Sequence, residues 1–229
     1  MRTTVSISLL VVTLFASQAF AANDSGIVKM ISVSPSTTFE GRHVAEDAVI
    51  GTLGTIKTGA DGGAVVKILK NGVILNIAYG AELKIVRPSS GDPSDVIELV
   101  DGAVHVVVPE LKVVKSAAPK MPFTLRTKAV TMGVRGTDFL GIVNPVLDES
   151  EIIVFKGKVE FKSAADPSDL RLVNPGYWGG LGGRFGSKIH ELIKLPESAL
   201  AHYAKVGMDV PSYSEHKTGE PAKTSEPSR

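Results

Sequence analysis

The sequence predicts an all-β fold. Short antiparallel strands and hairpins stack as a solenoid-like or twisted two-layer β roll, and a short helix follows near the C-terminus. Three observations carry this. Val, Ile and Leu recur at period two through most of the chain, which puts one side of each run into a core. Gly, Asn, Asp and Pro interrupt the runs at short intervals and mark turns. No amphipathic helix separates the runs, so a doubly wound parallel sheet is not expected.

Residues 1–21 read as a secretory signal peptide. Arg2 supplies the positive charge, Val5 to Phe15 form a short apolar run, and Ala19-Phe20-Ala21 offers small residues for cleavage after Ala21. The apolar run is about half the roughly 20 residues a spanning helix needs. A cleaved signal is therefore expected, with a periplasmic address and no membrane span after cleavage.

Strands are expected at 27–33, 54–58, 63–70, 73–78, 82–86, 95–100, 103–108, 122–127, 130–134, 137–143, 150–156, 158–163 and 170–174. Three stretches share one pattern of apolar alternation, a polar residue, Gly, and apolar alternation again. Their turns are Asn71-Gly72, Asp101-Gly102 and Lys156-Gly157, each read as a hairpin because both turn residues favour positive φ. Their spacing is irregular, which argues for hairpins over a common apolar face and against a regular solenoid. The polar segments 87–95 and 109–122 are expected as surface loops, where binding residues concentrate. The β body is read as 22–186. The Gly-rich run 176–186 is expected as a turn leaving the sheet. Residues 187–210 are expected to be helical, with Pro196 at a first helical position. The polar, Pro-rich tail 211–229 is expected to be disordered.

Composition narrows the function. The chain has 25 basic and 24 acidic residues. Without Arg2 of the signal the two counts are equal, which argues against nucleic acid or anionic lipid as a partner. There is no Cys, so an exported chain of this size relies on its core and not on disulfides. A search for chemistry returns no catalytic, metal or cofactor site. The five His have no ligand spacing, no nucleophile elbow or phosphate loop is present, and 148–151 reads as a solvated turn. His105 sits in a strand on the face of Ala103 and Val107, as a satisfied or partly exposed strand residue.

Two clusters remain as binding candidates. Arg135-Gly136-Thr137-Asp138 places a charged side chain beside Gly inside an apolar run. Its structural reading is a bulge or corner at Gly136 with Arg135 bonding carbonyls or Asp138 and Thr137 satisfying the turn. Its functional reading is a partner-binding Arg on a rigid corner. Tyr177 and Trp178 could form an aromatic platform for a carbohydrate or peptidoglycan, or pack the C-terminal segment onto the core.

The pieces GTLGTIKTGADGGAVVKIL, KNGVILNIAYGAELKI, IELVDGAVHVVVP, FTLRTKAVTMGVRGTDFLGIV and EIIVFKGKVEFKS, in that order over about 45–175, resemble the FecR domain family. Arg135-Gly136-Thr137 is the most specific part of the match. The resemblance implies a stacked-strand β domain of the bacterial envelope that works by protein–protein contact. In the family's regulators this domain follows a membrane helix and a cytoplasmic sigma-factor-binding segment. Here an export signal stands first, so the binding module carries over and the iron-signalling role does not. The expected role is a non-catalytic binding, scaffold or signalling module with an envelope protein partner, and exposed strand edges allow a homo-oligomer.

Overall fold

In a computed structural model, residues 27–86, 95–110 and 123–206 are described. The expected signal segment 1–21, the tail from 211, and nearly all of the 87–95 and 109–122 connections lie outside them. Among the described residues no helix is long and apolar enough to cross a membrane.

The strands are β1 (Val28–Val33), β2 (Thr38–Phe39), β3 (Arg42–His43), β4 (Val49–Ile50), β5 (Gly54–Lys57), β6 (Ala64–Ile68), β7 (Ile74–Ile77), β8 (Glu82–Val86) and β9 (Asp95–Val107). They continue as β10 (Phe123–Arg126), β11 (Val130–Val134), β12 (Asp138–Asn144), β13 (Glu149–Lys156), β14 (Val159–Ser163), β15 (Leu170–Val173), β16 (Tyr177–Leu181) and β17 (Ile193–Lys194). Among the described residues there is one α-helix, α1 (Glu197–Tyr203), and a single 3-10 turn at Gly183–Phe185.

These strands make two sheets that share β9. The first runs β4-β1-β6-β7-β9-β12-β13-β16-β17. The second runs β3-β2-β5-β8-β9-β10-β11-β14-β15. They face each other across one core, which draws Met30, Val66, Leu75 and Phe139 from the first and Ile56, Leu99, Phe123 and Phe161 from the second. The approach is close at β12: a Cβ at Gly141 would lie 2.7 Å from Leu125 Cδ2 across the layers. The two-layer roll is therefore the form realised. All pairings are antiparallel except β9–β10, which is parallel and is joined by the long connection through 108–122.

The chain alternates between the layers, and glycines make the crossings. Gly80 leads from β7 to β8, Gly136 from β11 to β12, Gly157 from β13 to β14 and Gly176 from β15 to β16, all at positive φ. This corrects two of the expected hairpins. Only Asn71-Gly72 closes one, between β6 and β7. At Asp101-Gly102 the strand does not turn back. Its first half pairs with β8 and β10 in the second sheet, and from Gly102 it pairs with β12 and then β7 in the first. Gly102 has φ 80, and a Cβ there would meet Ala81 Cα at 2.8 Å. Lys156-Gly157 carries the chain across the layers. A positive-φ Gly serves a hairpin and a crossing equally well, so the local signal does not separate them.

The C-terminal expectations also change. Gly-rich 177–181 is a strand, β16, paired with β13. Residues 187–194 are not helical, with Ile193–Lys194 forming β17 and Ile189 buried in the core. Among the described residues of 187–210 only Glu197–Tyr203 is helical, with Pro196 as its N-cap. Leu195, Leu200, Tyr203 and Val206 pack on the outer face of the first sheet, against Ala78, Ala103, Leu140 and Ile153. This second, smaller apolar cluster explains why Leu140 and Ile153 are fully buried although they point away from the main core.

Candidate functional site

The crossings at Gly136 and Gly157 abut at one end of the roll. A Cβ on Gly157 would sit 2.6 Å from the Gly136 carbonyl oxygen and 2.8 Å from Thr137 Cγ2. Nothing larger than Gly fits there, so the two corners hold each other rigidly. Val108 N–H donates to the Thr137 carbonyl at 2.8 Å, which anchors the corner to β9. A register shift falls between Asp138 and Phe139, two residues beyond the expected bulge position at Gly136.

The four corner residues take different surroundings. Arg135 is exposed and makes no hydrogen bond or ion pair among the described residues. This differs from the expectation that it bonds carbonyls or Asp138. Thr137 is buried, and its hydroxyl has no hydrogen-bond partner. Asp138 is one-third exposed and accepts a hydrogen bond from His105 Nε2. Its carboxylate is thus committed to β9, which is why it is not available to Arg135. His105 is fully buried on the outer face of the first sheet, 5.2 Å from the Phe155 ring, and its Nδ1 has no partner. Lys156 pairs with Glu110 at 3.1 Å beside the corner, with both side chains mostly exposed. Lys158 is also exposed. Lys156, Lys158 and Glu110 were not singled out by the sequence, because single charges beside a turn look like any solvated loop.

Tyr177 and Trp178 lie elsewhere, on β16 of the first sheet. Trp178 is half-buried, and its indole N–H donates to Glu151 Oε2 at 2.8 Å. Arg184 donates to the other oxygen of Glu151 at 2.7 Å and lies 5.9 Å from the Trp178 ring centroid and 5.0 Å from that of Phe185. Glu149 is buried and accepts from the Arg184 backbone N–H at 2.7 Å. The expected solvated turn at 148–151 therefore holds only for Asp148. Glu149 and Ser150 are buried in β13, and Ser150 bonds the Thr127 hydroxyl of the facing sheet at 2.7 Å. The glycines of this segment have a packing cause: a Cβ on Gly180 would strike the Phe185 ring at 2.6 Å, and one on Gly182 would strike the Asp148 carbonyl. Trp178, Arg184, Phe185, His190 and Glu191 line a shallow groove of about 350 Å³.

Arg184→Ala is expected to cost about 1 kcal/mol of stability, because Glu151 loses a charged donor and buried Glu149, which keeps its backbone bond, loses a guanidinium 3.7 Å away. Urea melts with emission from Trp178, the single Trp, read both consequences.

From the start of β5 into β14, residues 54–160 match the model of the FecR protein family. The chain carries a FecR domain. The match contains both locked crossings and the whole Arg135–Asp138 corner, while the Trp178 groove lies after it. The FecR segment thus includes most of the shared core and the parallel β9–β10 pair. A 2.50 Å crystal structure of a candidate anti-sigma factor from Parabacteroides distasonis superposes with a TM-score of 0.51 and 15% identity, over 67% of this chain. This chain spans 65% of the length of that protein, and the likeness is one of fold. A second structure so described from the same organism, at 1.65 Å, gives a TM-score of 0.47 and 15% identity over 68% of this chain and 74% of its own. No curated protein matches the chain.

Proposed function

We propose that this chain is a non-catalytic FecR-type signalling module, exported through the signal at 1–21 to the periplasm, that binds an envelope protein through the Arg135-Gly136-Thr137-Asp138 corner. The FecR domain supports a regulatory role. The observation that carries the site is the Arg135 guanidinium, which is exposed and, among the described residues, unpaired on a corner locked by glycine contacts. The locked corner fixes the backbone from which Arg135 extends, and a guanidinium suits bidentate recognition of a carboxylate.

The test is capture from periplasmic and membrane extract by the mature chain, beside Arg135→Ala and Arg135→Glu. Both variants are expected to melt with the wild type, since an exposed, unpaired side chain contributes within about 0.5 kcal/mol. Loss of a defined envelope protein with both folded variants supports the reading. Equal capture by all three forms removes Arg135 from the interface.

The groove beside Trp178 supports a second reading, a carbohydrate- or peptidoglycan-binding module using Tyr177 and Trp178. The indole N–H is already engaged by Glu151, so only part of the ring is available to a sugar. Titration with soluble peptidoglycan fragments tests this reading: saturable change in Trp178 emission favours it, and unchanged emission counts against it.

A further inference from the structure

We propose that β15 pairs antiparallel with β15 of a second copy of this chain, forming a two-fold dimer through one edge of the second sheet. The inference is independent of the Arg135 corner. Two sheets leave four edges. Three end in the two-residue strands β3, β4 and β17, and very short edge strands resist pairing with other chains. The fourth edge is β15, four residues long, which pairs only with β14 among the described residues. It carries Leu170 and Leu172 on its outer face, 38% and 47% exposed.

The backbone of this edge is oriented for a partner. Ser163 N–H donates to the Asp169 carbonyl, and Lys162 stands opposite Leu170. In an antiparallel ladder the bonding direction alternates along the strand. Arg171 and Val173 therefore bond inward to β14, and the N–H and C=O groups of Leu170 and Leu172 point away from the sheet. The Leu170 carbonyl is met by Arg171 Nη1 of its own strand at 3.0 Å, a contact that a pairing strand would replace.

The occupant follows from self-complementarity. With the two-fold axis at Arg171, Leu170 of each copy stands opposite Leu172 of the other. The outward backbone groups of both residues are then satisfied reciprocally, and the leucines of both copies gather on one face. On the opposite face lie Asp169 and Arg171, which are 4.0 Å apart within one chain. In this register each Arg171 is diagonal to Asp169 of the second copy, within reach of a long side chain. The two like charges near the axis are thus flanked by carboxylates, so the edge complements itself in charge as well as in shape. A four-residue edge is smaller than the ~800 Å² per partner of a standard interface, so the dimer is weak and concentration-dependent.

Sedimentation equilibrium of the mature chain from Ala22, over a hundredfold range of concentration, tests this. The wild type is expected to rise from the mass of one chain toward that of two. The double variant L170K/L172K places cations on the edge. Leu172→Pro removes one outward N–H while sparing the ladder to β14, and Pro is tolerated on that side of an edge strand. Each is expected to weaken association at least tenfold with thermal melting unchanged, and if one fails to fold the other carries the test. A wild type that keeps the mass of one chain throughout overturns the proposal. So does a dimer that both folded variants form as well as the wild type.

Discussion

Gly157→Ala is expected to destabilise the fold by about 2–5 kcal/mol and to displace the Arg135 corner. Two costs add. Gly157 has φ 78, where a non-Gly residue pays about 1–2 kcal/mol. The new Cβ would also lie 2.6 Å from the Gly136 carbonyl and 2.8 Å from Thr137 Cγ2, and overpacking of this kind typically costs ~1–3 kcal/mol. The first obstructing atom is backbone and has no rotamer through which to move aside. Neighbouring Lys156→Ala serves as the control. It removes only a mostly exposed pair with Glu110, within about 0.5 kcal/mol of neutral. Urea unfolding of the two variants reads the difference. If Gly157→Ala unfolds at the wild-type midpoint, the two crossings do not brace each other. A folded Gly157→Ala that loses partner capture while Lys156→Ala keeps it would tie corner geometry to binding.

The second large effect is expected at Asp138→Ala, about 1–3 kcal/mol. Asp138 is the hydrogen-bond partner of His105, a fully buried imidazole whose Nδ1 already lacks one. Removing the carboxylate leaves both ring nitrogens buried and unpaired, and an unmade bond at a buried polar group costs ~1–3 kcal/mol. Replacing the imidazole as well should relieve most of this loss. His105→Phe keeps a planar ring beside Phe155 and removes the polar atoms, so H105F/D138A is expected to be more stable than D138A alone. Urea unfolding of both single variants and the double measures the coupling. Strict additivity would mean that the two side chains do not stabilise each other. The same cycle bears on function: if D138A keeps its fold through H105F and still loses the partner, Asp138 belongs to the interface.

Much of the fold is legible in the sequence because strand alternation is a local property. β8 and β11 fall on the expected residues, and most other strands lie within a residue or two of them. The gaps have physical causes. β2, β3, β4 and β17 are two residues long, too short for a period-two pattern to register. β16 is hidden because its glycines resemble a loop, although Gly179 and Gly180 are small to admit Leu192 and Phe185. Glu149 looks solvated until Arg184, 35 residues away in sequence, is placed against it.

By itself the sequence determined an all-β chain, the positions of its longer alternating strands, a short helix after Pro196 and the FecR-like corner, because alternation, turn chemistry and motif order are written residue by residue. Only the tertiary structure decided which X-Gly pairs turn back and which cross between layers. It also decided that Asp138 belongs to His105 and that, among the described residues, Arg135 is left unpaired and β15 pairs on one side only. Those outcomes depend on which strands become neighbours, and neighbours are chosen by burial across the whole core, which no single stretch of sequence contains.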